Sequence, residues 1–166
     1  YGMLSEKMQA ALNAQIKAEL DSAYLYLSMA AHFEAVNLGG FAKWMRLQAK
    51  EEQGHAMRIF DFVVERGGRV VLEAVDKPQT DFGRPVEVFQ QVLEHERKVT
   101  GLIHDLYAMA QSEKDYASQV MLHWFIEEQV EEESTAEGIV ERLRLAGDAG
   151  AALLLLDREL GARSDD

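Results

Sequence analysis

Gly67-Gly68-Arg69-Val70-Val71-Leu72-Glu73-Ala74-Val75-Asp76-Lys77-Pro78-Gln79-Thr80-Asp81-Phe82-Gly83-Arg84 interrupts an otherwise helical pattern. The stretch mixes β-branched residues with Gly, Pro and Asp and reads as irregular. The chain has only two prolines, Pro78 inside this stretch and Pro85 directly after it. Upstream, a helical pattern runs from about Gly40 to Arg66 and ends at Gly67-Gly68. Downstream, Pro85 suits the first turn of a helix reaching about Gln111, because an N–H at that position has no intrahelical partner. A helix of about 27 residues is about 40 Å long. Eighteen extended residues reach roughly 60 Å. The stretch can therefore travel the full length of a helical bundle and leave the helices on either side of it parallel.

The remaining breaks are short. Ser5 can cap a first helix that runs to about Asn37 and stops at Leu38-Gly39-Gly40. A polar turn near Lys114 precedes a fourth helix, capped by Asp115 and stopped by Gly147 after Ala146. Breaks of two to four residues force antiparallel neighbours. Asp148 is expected to cap a short fifth helix that ends at Gly161, followed by a polar tail. Each long segment carries an apolar stripe advancing by threes and fours. The stripes read Leu12, Ile16, Glu19, Ala23, Tyr26, Ala30, Phe33, then Phe41, Met45, Gln48, Glu52, His55, Ile59, Phe62. The third is Phe89, Val92, Glu96, Val99, Ile103, Leu106, and the fourth Leu122, Phe125, Gln129, Glu132, Ala136, Ile139, Leu143. The expected fold is all-α: a four-helix bundle over about 5–146 with one long crossover, plus a fifth helix over about 148–161, in one domain spanning 1–166.

Composition narrows the function. The chain has 166 residues, of which 48% are hydrophobic and 28% charged, which fits a packed domain and not a disordered one. Its net charge of -12 argues against nucleic acid or an anionic membrane as a partner and favours cations. The absence of Cys excludes disulfides, iron–sulfur clusters and thiolate zinc sites. The longest dense apolar run, Ala151 to Leu156, is far short of the roughly 20 residues a membrane span needs. The first thirty residues are too charged for a secretory leader, so the expected location is cytoplasmic. Gly67-Gly68 lacks a phosphate-loop context, and no Ser, His and Asp fall into a nucleophile triad. The Met residues, Trp44 and Trp124 sit at helical spacing and read as core.

The polar members of the stripes carry the chemistry. The helix midpoints fall near residues 20, 53, 98 and 130. Glu19, Glu52, Glu96 and Glu132 therefore share one height whichever way each helix points. Alone, Glu-x-x-His is common on exposed helix faces, the run Glu127 to Glu133 suits a solvated surface, and Tyr26 suits an ordinary core. The coincidence of four carboxylates at one level of one core is different. A buried ionised carboxylate costs several kcal/mol, and like charges together cost more. No Lys or Arg occupies the stripes at that level. Protonation or bound metal remains, and four carboxylates balance two divalent ions in formal charge. His55 adds an imidazole three residues after Glu52, on the same face. One Glu from each of two helices plus Glu-x-x-His matches the ligand pattern of di-iron carboxylate bundles. Oxygen and nitrogen ligation without thiolate suits iron or manganese, with zinc as a competitor.

The same residues carry a family resemblance. The chain resembles the prokaryotic non-haem ferritins along nearly its whole length. The matching stretches are Ile16-Lys17-Ala18-Glu19-Leu20 with Tyr24-Leu25-Tyr26, Lys50-Glu51-Glu52-Gln53-Gly54-His55, Glu94-His95-Glu96, and Trp124 to Glu133. Leu145-Ala146-Gly147 and Leu156-Asp157-Arg158-Glu159-Leu160 extend the match. The resemblance implies a ferritin-like fold and a ferroxidase that oxidises Fe(II) with dioxygen or hydrogen peroxide for iron storage and detoxification. It implies a first iron on Glu19, Glu52 and His55, with Glu52 bridging to a second on Glu96 and Glu132. It places Gln129 near the bridging oxygen species and Tyr26 as a hydrogen-bond or electron donor nearby. Glu51, Glu128 and Glu131, with Glu132, match the ligands of a third iron. It also implies a homo-oligomeric shell, usually of 24 chains, with the fifth helix at the four-fold axes.

Bacterioferritins are disfavoured, because Gln129 to Glu132 replaces their second Glu-x-x-His and Gln53 replaces their haem-binding Met; no haem is expected. Rubrerythrins are disfavoured by the missing Cys. Gly54 costs about 1 kcal/mol of helix propensity relative to Ala, and nothing in the sequence accounts for it. Two other functions fit the residues: a di-metal oxidase or peroxidase that stores nothing, and an acidic helical scaffold without activity.

Overall fold

The computed structural model describes residues 3–165, and the described chain is helical with no strand. Five helices follow in order: α1 Glu6–Ala35, α2 Gly39–Glu65, α3 Pro85–Ser112, α4 Tyr116–Ala146 and α5 Gly150–Leu160. Helix α1 packs mainly on α2 and α3 mainly on α4, as the short connections require. Among the described residues no helix is long and apolar enough to cross a membrane.

The crossover behaves as its length predicts. Arg69 N–H donates to Gln9, Val71 N–H to Asn13 and Asp76 N–H to Asp21. Further along, Ser28 donates to the Gln79 carbonyl and His32 contacts the Gly83 carbonyl. Partner numbers rise together, so the segment runs parallel to α1 for nearly its whole length. It therefore delivers α3 to the end where α2 began, and α2 and α3 lie parallel. The far end is fastened by local chemistry. The Ser5 hydroxyl accepts from Met8 N–H, Asp115 accepts from Ser118 N–H, and Arg66 pairs with Asp115 at 2.9 Å.

Two boundaries and the burial of three side chains differ from expectation. The α1–α2 break lies at Val36–Leu38, because Asn37 takes the left-handed turn (φ 61°) and Gly39-Gly40 are already helical. Asp148 does not cap α5. That position belongs to Ala149, which makes no side-chain cap, while Asp148 is exposed 3.8 Å from Arg84. Met3 and Met57 are exposed, and Trp124 is only partly covered.

Helix α5 closes the end of the bundle by supplying a missing cap. The α2 N-terminus has no side-chain cap of its own, and Asp157 of α5 accepts from Phe41 N–H at 2.9 Å. The approach is so close that a Cβ on Gly40 would run into the Asp157 backbone carbonyl. Gly40→Ala is therefore expected to unseat α5 and cost about 1–3 kcal/mol. A thermal melt with limited proteolysis of 150–165 reads this; an unchanged midpoint and unchanged cutting contradict it.

The core comes in two pieces. One is aromatic, with Phe33 and Phe41 stacked at 5.1 Å and Trp44 edge-on to Phe89 at 5.2 Å. The other is mainly aliphatic, built on Met8, Leu12, Ile16, Ile59, Val63, Ile103 and Leu122 with Phe125. A layer of buried polar groups separates them: Gln15, Glu19, Ser22, Gln48, Glu52, His55, Glu96 and Gln129.

Candidate metal centre

All four helices contribute to that layer, each from the middle of its buried stripe. Glu19, Glu52 and Glu96 are each only 1% exposed, and Glu132 is half-buried. Ligand atoms gather in three overlapping groups, each within 4.8 Å: Glu19, Glu52 and His55; Glu52, Glu96 and Glu132; and His55, Glu128 and Glu132. Glu52 belongs to the first two groups and His55 to the first and third. A carboxylate shared between adjacent donor sets is the arrangement that lets one residue bridge two cations.

Hydrogen bonds fix the aim of each acid. Gln15 donates to Glu19 Oε1 at 3.2 Å from one turn earlier. Gln48 repeats this on α2, donating to Glu52 Oε1 at 3.0 Å and across to Glu132 Oε2 at 2.7 Å. The Tyr26 hydroxyl donates to Glu96 Oε1 in a short bond. Gln129 donates to Glu96 Oε2 at 3.1 Å and lies 3.1 Å from the Thr100 hydroxyl. His55 Nδ1 lies 3.1 Å from Glu52 and 3.8 Å from Glu19. Glu19 Oε2 is buried with no hydrogen-bond partner. Buried polar atoms are nearly always satisfied, so this oxygen is one that the protein's own donors leave open.

Sequence reasoning missed Gln15 and Thr100 and gave Gln48 no role. The signal for the glutamines was present as two i,i+4 Gln–Glu pairs, Gln15–Glu19 and Gln48–Glu52. The residues matched to a third cation separate. Glu128 and Glu132 meet His55, Glu131 is exposed outside these groups, and Glu51 pairs with Arg163 at 2.9 Å.

The electrostatics are those of acids crowded in a dry place. Burial, then repulsion from Glu19 and Glu96, pushes Glu52 well above the usual carboxyl range. Burial and the Glu96 and Glu51 charges push Glu132 up to about 9. Glu96 is also raised, chiefly by burial, against the opposing pull of Tyr26 and Gln129. Burial works against the His55 cation, but the adjacent Glu19 and Glu52 carboxylates overcome it and raise the ring to about 11. Burial would raise Glu19 too, yet the neighbouring His55 and Glu52 side chains leave it lowered. The same burial and crowding that raise these groups favour protons or cations among the acids.

Aromatic rings wall the centre. Trp124 and Phe125 stand edge-on to His55 at 5.3 and 5.9 Å, and the Arg58 guanidinium covers the Trp124 face at 3.8 Å. The donor set is carboxylate and imidazole throughout, which suits hard or borderline divalent cations.

Known proteins are similar to this chain in sequence and fold. The ferritin-like domain family matches residues 9–146. The bacterial non-heme ferritin of Bacteroides fragilis (strain 638R) is 48% identical over 161 residues, covering 97% of this chain and 100% of the relative. That of Staphylococcus aureus (strain NCTC 8325 / PS 47) is 40% identical over 164 residues, covering 99% of each. Among solved structures, the open pore ferritin of the hyperthermophilic archaeon Archaeoglobus fulgidus superposes with a TM-score of 0.96 at 55% identity, over 97% of this chain and 99% of that one. A closed form engineered from the same archaeal ferritin gives 0.97, also at 55% identity, over 98% and 99%. With a family match over most of its length and relatives well above the identity at which fold and family are shared, the chain belongs to the ferritin family.

Proposed function

We propose that this chain is an iron-storage ferroxidase. It binds Fe(II) in pairs at Glu19, Glu52, His55, Glu96 and Glu132, oxidises it with dioxygen or hydrogen peroxide, and deposits the ferric product inside a homo-oligomeric shell of 24 chains. The observation that carries the reading is the shared Glu52, centred in a buried carboxylate layer that splits the apolar core in two.

Iron is the substrate, and the side chains do four things. The acids supply negative charge that becomes more favourable as iron becomes ferric. Each Fe(II) gives up one electron, and the pair reduces dioxygen to hydrogen peroxide or hydrogen peroxide to water. His55, Glu52 and Glu132 lose their protons when iron enters, and hydrolysis of the ferric ions releases more. Gln15 and Gln48 hold Glu19 and Glu52 in aim, while Tyr26 and Gln129 do the same for Glu96. Glu128, Glu131 and Glu132 are proposed to hold a third ion on its way from the pair, with Glu51 joining them only when it leaves Arg163. The named relatives, bacterial non-heme ferritins, support storage without haem. A cytoplasmic location belongs to the same reading.

Electron microscopy of protein exposed to Fe(II) in air tests storage. Hollow particles that fill with electron-dense cores are expected. Small oligomers that oxidise iron and leave it in solution would instead mark a di-metal oxidase that stores nothing.

A further inference from the structure

Arg163 lies beyond the last helix, yet three contacts fix it on α2. Its guanidinium is 2.9 Å from Glu51 Oε1, donates to the Trp44 carbonyl at 3.2 Å and sits 4.6 Å from the centre of the Trp44 ring. Lys50 pairs with Asp165 at 2.5 Å and ties the tail to the same helix again. The tail's origin is also set, since a Cβ on Gly161 would meet Gly40 Cα at 2.9 Å. The side chains of Arg163 and Glu51 keep only 20% and 40% of their exposure, so solvent screens this pair incompletely.

Glu51 precedes Glu52 and lies one turn from His55, on the same stretch of helix surface. Across from it, Glu128 and Glu132 of α4 gather with His55. Glu51 is near enough to Glu132 to repel its charge. It nonetheless supplies no oxygen to that group, and its Oε1 is engaged by Arg163.

We infer that Arg163 is a positioning residue that holds Glu51 back from an outer cation position beside Glu128 and Glu132, the latter shared with the inner pair. The inference rests on the metal-centre reading above. A dication recruiting Glu51 has to displace a charge-assisted hydrogen bond and sit near a fixed positive charge. The C-terminal tail thus keeps the outer position weaker than the inner pair, so that an ion reaching it moves on instead of staying.

Calorimetric titration of the metal-free full chain with Zn(II), which is not oxidised, tests this directly. The unaltered chain is expected to show about two tight ions per chain and a weaker third. Arg163→Ala and Arg163→Gln are both expected to tighten the third about tenfold and leave the first two within about twofold. Arg163→Lys, which keeps the charge, is expected to stay near the unaltered value. In a Glu51→Gln background, Arg163→Ala is expected to change nothing, because the two residues act as one unit. Arg142→Ala removes an arginine paired instead with Glu159 and is expected to leave the third ion unchanged. An unmoved third ion in both Arg163 variants overturns the inference and leaves the centre intact. Equal tightening by Arg142→Ala, or in the Glu51→Gln background, does so too. Absence of any stoichiometric Zn(II) overturns both the inference and the reading beneath it.

Discussion

Glu52→Ala is expected to abolish the fast phase of Fe(II) oxidation in stopped-flow absorbance, slowing the initial rate by at least about 100-fold. The argument is geometric. Glu52 is the one residue common to the Glu19–His55 and Glu96–Glu132 donor sets, so its loss removes an oxygen from both. Losing either neighbour, by Glu19→Ala or Glu96→Ala, strips only one set. Two ions that must react together need both sets, so the effect of Glu52→Ala should match that of the double variant and not add to it. Removing an electrostatic partner of a transition state typically costs about 100- to 1000-fold. The variant should still fold, because it relieves repulsion among buried acids; helical circular dichroism checks this. A retained fast phase would place oxidation elsewhere in the chain.

The metal-free chain is expected to lose thermal stability as pH rises from about 6 to 9, and Co(II) added without oxygen is expected to restore it. The folded chain holds protons that the unfolded chain would release. Glu132 keeps its proton up to about 9, and His55 stays protonated to about 11. Between each ordinary value and its raised one the native state binds more protons than the unfolded state, so stability falls with rising pH. Glu19 is shifted the other way, and its contribution disappears only in acid. A divalent ion replaces those protons and binds the folded chain alone. At a thousandfold excess over the dissociation constant, one such site adds about 4 kcal/mol. For a chain of this size that is a rise in midpoint of about 10 °C. Scanning calorimetry from pH 6 to 9, with and without Co(II), makes the comparison. A flat profile without metal, or no rise with it, contradicts this electrostatic account.

Much of this centre is legible in the sequence, because helical periodicity fixes both face and height. Glu19, Glu52, Glu96 and Glu132 stand in apolar stripes at matching distances from their helix ends, and one crossover is long enough to run the bundle. What stayed hidden depended on contacts between segments far apart in sequence. Asp157 caps α2 from α5, and no local pattern announces a cap supplied across 116 positions. Arg163 reaches Glu51 from a tail that reads only as polar. Gln15 sits one position off its stripe, where a glutamine passes for surface, and burial alone distinguishes it. Asn37 is hidden as the turn by the glycines after it, which are the stronger breakers, yet Gly40 is small for packing and not for bending. Gly54 remains unexplained: a Cβ there would meet nothing within 4 Å.

The central claim is that buried acids at one height of this bundle are placed to share divalent iron. Anomalous diffraction at the iron edge, from crystals soaked anaerobically in ferrous salt, addresses it most directly. Two peaks per chain are expected, one among Glu19, Glu52 and His55 and one among Glu52, Glu96 and Glu132, with Glu52 reaching both. Crystals with no anomalous density between these side chains, and the same carboxylates unmoved, would contradict it.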